Sequence, residues 1–248
     1  MGLRPLQRHD RYGSMSFPRR VEPELLDQLP ADDPRAIRAR RDVRRANTLM
    51  MNANIIASAL MKHGNGQRPR TIVDLGSGDG HLMLRVARRL APHWPDVTVI
   101  LQDQQDIVSR ATRDAFTALR WRVETSATDV FDFLGNARSA GIDVVTSNLF
   151  LHHFVDEQLV RLLADAAQLA RLVVVCEPRR AKFVVRASRL LWAVGFSDVG
   201  VHEAVVSARA GFNGKELSAL WPTQGQWELR EQAVGLFSHR FIARRVVQ

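Results

Sequence analysis

Between Asp74 and Gly80 the chain reads Asp-Leu-Gly-Ser-Gly-Asp-Gly, and a helical pattern opens at His81. Gly76, Gly78 and Gly80 permit a tight turn whose backbone can approach a ligand closely. The unpaired N–H groups of the following helix N-terminus lie at the same place. The spacing differs from the Gly-x-Gly-x-x-Gly turn that grips a diphosphate. Asp74 and Asp79 sharpen that distinction, since both would repel a diphosphate and both suit a ligand carrying an amino group or other positive charge. Further residues able to do chemistry follow in order: Asp103, Asp129, the pair His152-His153, Glu177 and His202-Glu203. A histidine or carboxylate within reach of an acceptor hydroxyl can take its proton, so His152, His153, Glu177 and His202 are the candidate catalytic groups. A metal ion needs donors aimed at one point. Adjacent histidines rarely manage that and the sequence offers no third ligand, so no metal is expected.

The elements that must position these residues are legible as changes of hydrophobic period. Thr71–Leu75 is a β-branched apolar run feeding the glycine turn, and His81–Leu90 is helical. Strands are then expected at Val97–Leu101, Arg122–Ala127, Ile142–Ser147 and Leu172–Cys176, with helices at Gln104–Leu119 and Asp156–Ala170. Continuous apolar runs alternating with helices predict a parallel sheet covered on both faces, a doubly wound α/β domain. The tail reads as a helix over Ala181–Val194, an ambiguous Val201–Phe212 and a short helix over Gly214–Leu220. Two extended runs, Trp227–Leu236 and His239–Val247, are expected to pair antiparallel. Upstream, residues 1–33 read as irregular chain with one helical turn near Glu22–Gln28. Asp33-Pro34 then starts an amphipathic helix, or two joined helices, running to His63 and closed by Gly64-Asn-Gly66. This divides the chain into an N-terminal arm and helical cap (1–66) and a ligand-binding domain (67–248) in which 181–226 form a covering helical insertion.

The segment Asp74-Leu-Gly-Ser-Gly-Asp-Gly80 resembles motif I of the class I S-adenosylmethionine (SAM)-dependent methyltransferases, with Ser77 inside the same turn. Asp103, ending Ile-Leu-Gln-Asp, looks like that family's acidic contact to the ribose hydroxyls. Asp129-Val130-Phe131 looks like its adenine turn, with Asp129 accepting from the exocyclic amine. Asp143-Val-Val-Thr-Ser-Asn-Leu-Phe-Leu-His-His-Phe154 resembles the fourth-strand motif of small-molecule methyltransferases of the ubiquinone/menaquinone type, and Leu172–Cys176 with Glu177-Pro-Arg179 resembles the fifth-strand exit. The resemblance covers residues 70–180 and, in topology, the final hairpin. It implies a seven-stranded Rossmann-like fold with an N-terminal helical extension, SAM as cofactor, Asn148 and Leu149 along the methionine end or the methyl's path, and the His-His pair shaping the site. A small aromatic, quinone-like or polyketide-like acceptor, methylated at O or C, rests on the same analogy.

Composition narrows the alternatives. The single cysteine, Cys176, excludes an internal disulfide framework and a Cys-based zinc site. No apolar run approaches a membrane span, and the first residues lack an apolar signal core, so a cytoplasmic enzyme is the expectation. The net charge of +9 invites a nucleic-acid reading. Residues 1–70, however, hold 14 basic and 7 acidic side chains against 21 and 19 in the rest, so the surplus belongs to the arm, where a solvated helix face is the plainer reading. An RNA methyltransferase using that arm is the first alternative. It is disfavoured because Ser147-Asn-Leu-Phe150 lacks the Asn/Asp-Pro-Pro-aromatic motif of amino-methylating enzymes. A SAM-binding protein without catalysis is the second. A nicotinamide dehydrogenase would need the wider glycine spacing. The sequence leaves the oligomeric state open.

Overall fold

A computed structural model describes residues 17–64, 68–137, 141–222 and 226–246. Most of the expected arm (1–16), Asn65-Gly66 of the expected helix stop and the 66/67 boundary lie outside them. Helices α1 (Leu25–Gln28), α2 (Pro34–Leu49) and α3 (Asn52–His63) precede β1 (Thr71–Leu75) and α4 (His81–Leu90). Next come β2 (Thr98–Asp103), α5 (Arg110–Ala118), β3 (Arg122–Ala127), α6 (Val130–Asn136) and β4 (Val144–Asn148). A 3₁₀ turn at Leu151–His153 leads to α7 (Asp156–Leu169) and β5 (Leu172–Pro178). The tail is α8 (Lys182–Arg189), a 3₁₀ turn at Leu191–Val194, α9 (Asp198–Ala210), α10 (Glu216–Leu220), β6 (Trp227–Val234) and β7 (Ser238–Arg245).

The seven strands form one sheet in the order β3-β2-β1-β4-β5-β7-β6. The first five run parallel, while β7 pairs antiparallel with both β5 and β6. Strand alternation sorts the core. Leu172, Val174 and Cys176 of β5 join Ile56 and Leu60 of α3 and Met83, Val86 and Leu90 of α4 on one face. Val173 and Val175 join Leu159, Leu162 and Ala166 of α7 and Leu217 of α10 on the other. Each fully buried aliphatic side chain stabilises by about 1.5–3 kcal/mol. The order in which successive strands are added reverses between β1 and β4, and a doubly wound sheet opens a ligand crevice at the strand ends beside such a switch point.

The upstream pattern is two joined helices, one of the two readings the sequence left open, broken where Met51 takes φ 56°. Two differences from the expected elements have physical reasons. The helix expected from Gln104 starts only at Arg110, because Ser109 caps it by accepting from Thr112 N, and Asp103 Oδ1 accepts from Gln105 N to hold a turn beforehand. The ambiguous stretch at Val201 is helix α9, apolar on several sides because α2 and α8 both pack against it. Helix α6 went unread in the sequence. Helix α3 packs into the main core. No helix among the described residues is long and apolar enough to cross a membrane.

Candidate functional site

The turn after β1 is built from conformations that suit glycine. Gly76, Gly78 and Gly80 have φ of 66°, 55° and 72°. A Cβ on Gly76 would also lie 2.2 Å from Phe150 Cγ, so there side-chain absence is needed for space as well as for φ. The end of β2 holds the turn from beneath. Gly78 N donates to Asp103 Oδ2 at 2.9 Å, Ser77 N to Gln102 O at 2.9 Å, and Gly76 N to Gln102 Oε1 at 3.4 Å. Asp103 therefore lines the crevice with its carboxylate already engaged in shaping the loop, a charge-assisted bond of the kind that contributes about 1.5–3 kcal/mol.

Asp74 points from β1 into this region and is 3% exposed. Burial pushes its pKa up to about 7; Thr146 Oγ1, donating at 2.7 Å, opposes that, and the charge of Asp103 adds to it. A cation arriving beside this buried carboxyl would favour its charged form and draw the pKa back down. Asp79 bonds His81 N at 2.9 Å and forms an ion pair with Arg44 of α2, Nε to Oδ2 at 2.6 Å.

Helix α2 thereby roofs the crevice. Beyond Arg44, its Asn47 is buried, and Asn47 Oδ1 accepts from Asn148 Nδ2 at 3.0 Å and from Asn52 Nδ2 at 2.8 Å. Arg45 turns away from the crevice, donating to Gly195 O and stacking on Phe196. Between roof and sheet lies a cavity of about 300 Å³. Of the sequence candidates, Asp74, Gly76, Ser77, Gly78, Asp79, Asp103, Val130, Asn148, Leu149 and His153 line it, and so do Gln102 and Phe150. Gly80 lies behind the lining as the α4 N-cap residue. Asp129 is exposed and caps α6, its Oδ1 accepting from Phe131 N at 2.8 Å.

The histidines diverge. His152 is 1% exposed and hidden behind the wall, whereas His153 reaches the cavity. Glu177 is fully buried, with Oε1 accepting from Phe150 N and Leu151 N at 3.0 and 2.9 Å and Oε2 lying 2.6 Å from His152 Nδ1. Burial pulls the His152 pKa down, but the hydrogen bonds to Glu177 and Glu24 outweigh it and raise it to about 9. Glu24, just before α1, is the residue sequence reasoning missed: its Oε1 lies 3.2 Å from His152 Nε2 and 3.3 Å from His153 Nε2, and accepts from Ser207 Oγ at 2.6 Å. It is thus the third ligating group that the sequence reading did not find beside the histidines. Only the fold brings it there, across more than a hundred residues. Its neighbour Glu203 is buried on α9 and raised to about 8, by burial first and then by the charge of Glu24, while His202 lies on the exposed side of α9. Arg19 fastens the arm over this cluster, donating to Phe154 O at 2.7 Å and Ala210 O at 2.8 Å.

The residues fit a zwitterionic cofactor. Two buried polar atoms at the cavity, Ser77 Oγ and Asn148 Oδ1, have no partner of their own, and a cradle of left-handed glycines lies beside two acids. Residues 72–172 match the sequence profile of the methyltransferase domain family. Residues 72–172 thus form a methyltransferase domain. An uncharacterized methyltransferase of Mycobacterium tuberculosis is 34% identical over 105 residues, 42% of this chain and 48% of the relative. The matched stretch thus spans about half the length of that relative. Among solved structures, an O-methyltransferase family protein from Burkholderia thailandensis aligns with TM-score 0.56 at 20% identity, over 87% of this chain and 61% of that one. The plantazolicin methyltransferase BpumL, solved with a monoazolic desmethylPZN analog and SAH, aligns with TM-score 0.56 at 15% identity, over 86% and 91%. Both likenesses show a shared fold.

Proposed function

We propose that the protein transfers a methyl group from SAM to an oxygen or carbon of a small molecule, an aromatic, quinone-like or polyketide-like acceptor. The observation that carries this reading is the acid-bearing glycine turn opening on a roofed cavity with unpartnered Asn148 Oδ1 and Ser77 Oγ. When bound, SAM supplies an electrophilic methyl on a sulfonium. The chain's part is orientation and enclosure. Asp74 offers a charge partner for the cofactor's amino group, while Asp103 keeps the turn in shape and can meet the ribose. Val130 and Asn148 flank the cofactor's length. The α2 roof, tied by Arg44 and Asn47, excludes water. Positioning of this kind contributes up to about 7–11 kcal/mol for ideally aligned reactants.

Phe150 and Phe154 pack edge-to-face at 5.0 Å beside His153, giving the cavity an apolar wall suited to a flat acceptor. A hydroxyl acceptor would shed its proton toward His153, which reaches the cavity, whereas His152 and Glu177 are buried behind the wall. The test is calorimetry with SAM and SAH, followed by a mass-spectrometric screen of phenolic, quinone and polyketide metabolites for a gain of one methyl. Failure of both cofactor forms to bind would overturn the reading.

A further inference from the structure

Three nitrogen and oxygen donors converge beside the cavity. The ligating atoms of Glu24, His152 and His153 all lie within 4.8 Å of one another. Both Nε2 atoms face the same Glu24 oxygen, at 3.2 and 3.3 Å, with the two rings at 83° and 4.4 Å between centroids. A tetrahedral ion with bonds of about 2.0–2.1 Å holds neighbouring donors about 3.3 Å apart, which is the spacing of each imidazole nitrogen from the Glu24 oxygen.

The surroundings are those of a supported ligand set. Glu177 accepts from His152 Nδ1 at 2.6 Å, and two backbone N–H groups anchor its other oxygen. That places a proton on Nδ1 and turns Nε2 toward the Glu24 carboxylate, the carboxylate–histidine arrangement that orients metal-bound imidazoles. Two electron-rich atoms 3.2 Å apart require a cation between them, either a proton or a metal ion. A proton on His152 would satisfy one such contact, whereas a metal ion satisfies both imidazoles and the carboxylate together. Glu24 and Glu177 are both buried here beside the two imidazoles, with the Arg19 guanidinium also acting on Glu177. Glu203 makes its own contact to Leu25 N at 2.9 Å, which keeps the Glu24 segment in place. Two imidazoles and one carboxylate suit zinc-class ions over magnesium or calcium, which take oxygen donors.

We propose that Glu24, His152 and His153 form a binding site for one divalent ion of the zinc class, with Glu177 orienting His152. Three protein ligands leave a fourth position open, and His153 lies in the cavity wall, so the ion would face the space where the acceptor is proposed to bind. The site itself stands apart from the methyl-transfer reading; only that last consequence rests on it.

The experiment uses the full chain, stripped with a chelator, titrated with Co²⁺ and followed by visible ligand-field absorption, with Zn²⁺ as competitor and elemental analysis of the untreated protein. The expected result is about one equivalent per chain, with four-coordinate bands abolished by Zn²⁺. His153→Gln and Glu24→Gln should each lose the bands, while His93→Ala, at an exposed histidine elsewhere, should keep them. Circular dichroism checks that each variant is folded. Should Glu24→Gln fail to fold, the half-buried His153→Gln decides alone. Folded wild-type protein that takes up no Co²⁺ would mean that a proton fills the cluster, and the proposal is overturned. Bands that survive in His153→Gln would place the ion elsewhere and overturn it equally. Calorimetry with SAM on the same samples reads the methyltransferase proposal separately.

Discussion

Arg44 Nε lies 2.6 Å from Asp79 Oδ2, joining the roof helix α2 to the glycine turn 35 residues later. The pair is partly exposed, with Arg44 at 47% and Asp79 at 17%. Exposed ion pairs contribute roughly 0–1 kcal/mol to folding. Its consequence should therefore appear in binding. Arg44→Ala is expected to lower Tm by only a few degrees while weakening SAM several-fold through faster dissociation, read by thermal melts and stopped-flow. A melt lowered as far as by a core truncation, with SAM dissociation unchanged, would make the contact structural.

Gly76 and Gly78 share a positive φ, yet their surroundings differ. A Cβ on Gly76 meets Phe150 at 2.2 Å, while one on Gly78 meets nothing within 4 Å. Gly78→Ala should cost only the left-handed backbone penalty, about 1–2 kcal/mol. Gly76→Ala adds displacement of Phe150 and with it the apolar wall. Denaturant melts should rank Gly76→Ala well below Gly78→Ala, and SAM binding should be lost in the former. Equal melts would show that Phe150 moves aside freely.

The parts of this architecture governed by local period were legible in the sequence. The β1 run, the glycine turn and α4 follow one another with bounds the pattern itself gives, because a fully buried strand and an amphipathic helix leave different periods. Strand β5 ran two residues further than its apolar core, since Glu177 and Pro178 still pair with β7. What could not be read is what distant segments bring together. Glu24 looks like one acid among several in a proline-rich stretch, and only α9 and the 3₁₀ turn make it a partner of His152. Thr146 sits in an apolar strand and shows its role only by facing Asp74 on the neighbouring strand. His202-Glu203 read as a pair, yet helical geometry puts one side chain in solvent and the other in the core.

Asp103 carries two duties, and substitution can separate them. Its Oδ2 accepts from Gly78 N and its Oδ1 from Gln105 N. Asp103→Asn keeps one acceptor oxygen, whereas Asp103→Ala leaves both N–H groups without the carboxylate. The alanine variant is expected to lose about 1–3 kcal/mol of stability and most of its SAM affinity. The asparagine variant should hold most of its stability and still bind SAM more weakly. Calorimetry beside urea melts reads both. Unchanged SAM affinity in both variants would remove Asp103 from the cofactor site.

Asp74 gives the site a pH signature. Its pKa in the folded chain is about 7, against an ordinary 3.8, because burial disfavours the charged form. Between those values the folded state holds a proton that the unfolded chain gives up. Its contribution therefore makes stability fall as pH rises from about 4 to about 7, with no further change above. Asp74→Asn, which stays neutral, should flatten that part of the profile and melt higher than wild type at pH 8. Asp103 adds to the upward shift, so Asp103→Asn should move the midpoint of the profile to lower pH. A cationic amino group arriving beside Asp74 would favour its charged form, so SAM binding near pH 6 should release protons from wild type and few from Asp74→Asn. Calorimetry in two buffers of different ionisation enthalpy counts them. Equal proton release in both proteins would assign the event to another group and remove Asp74 as the partner of the amino group.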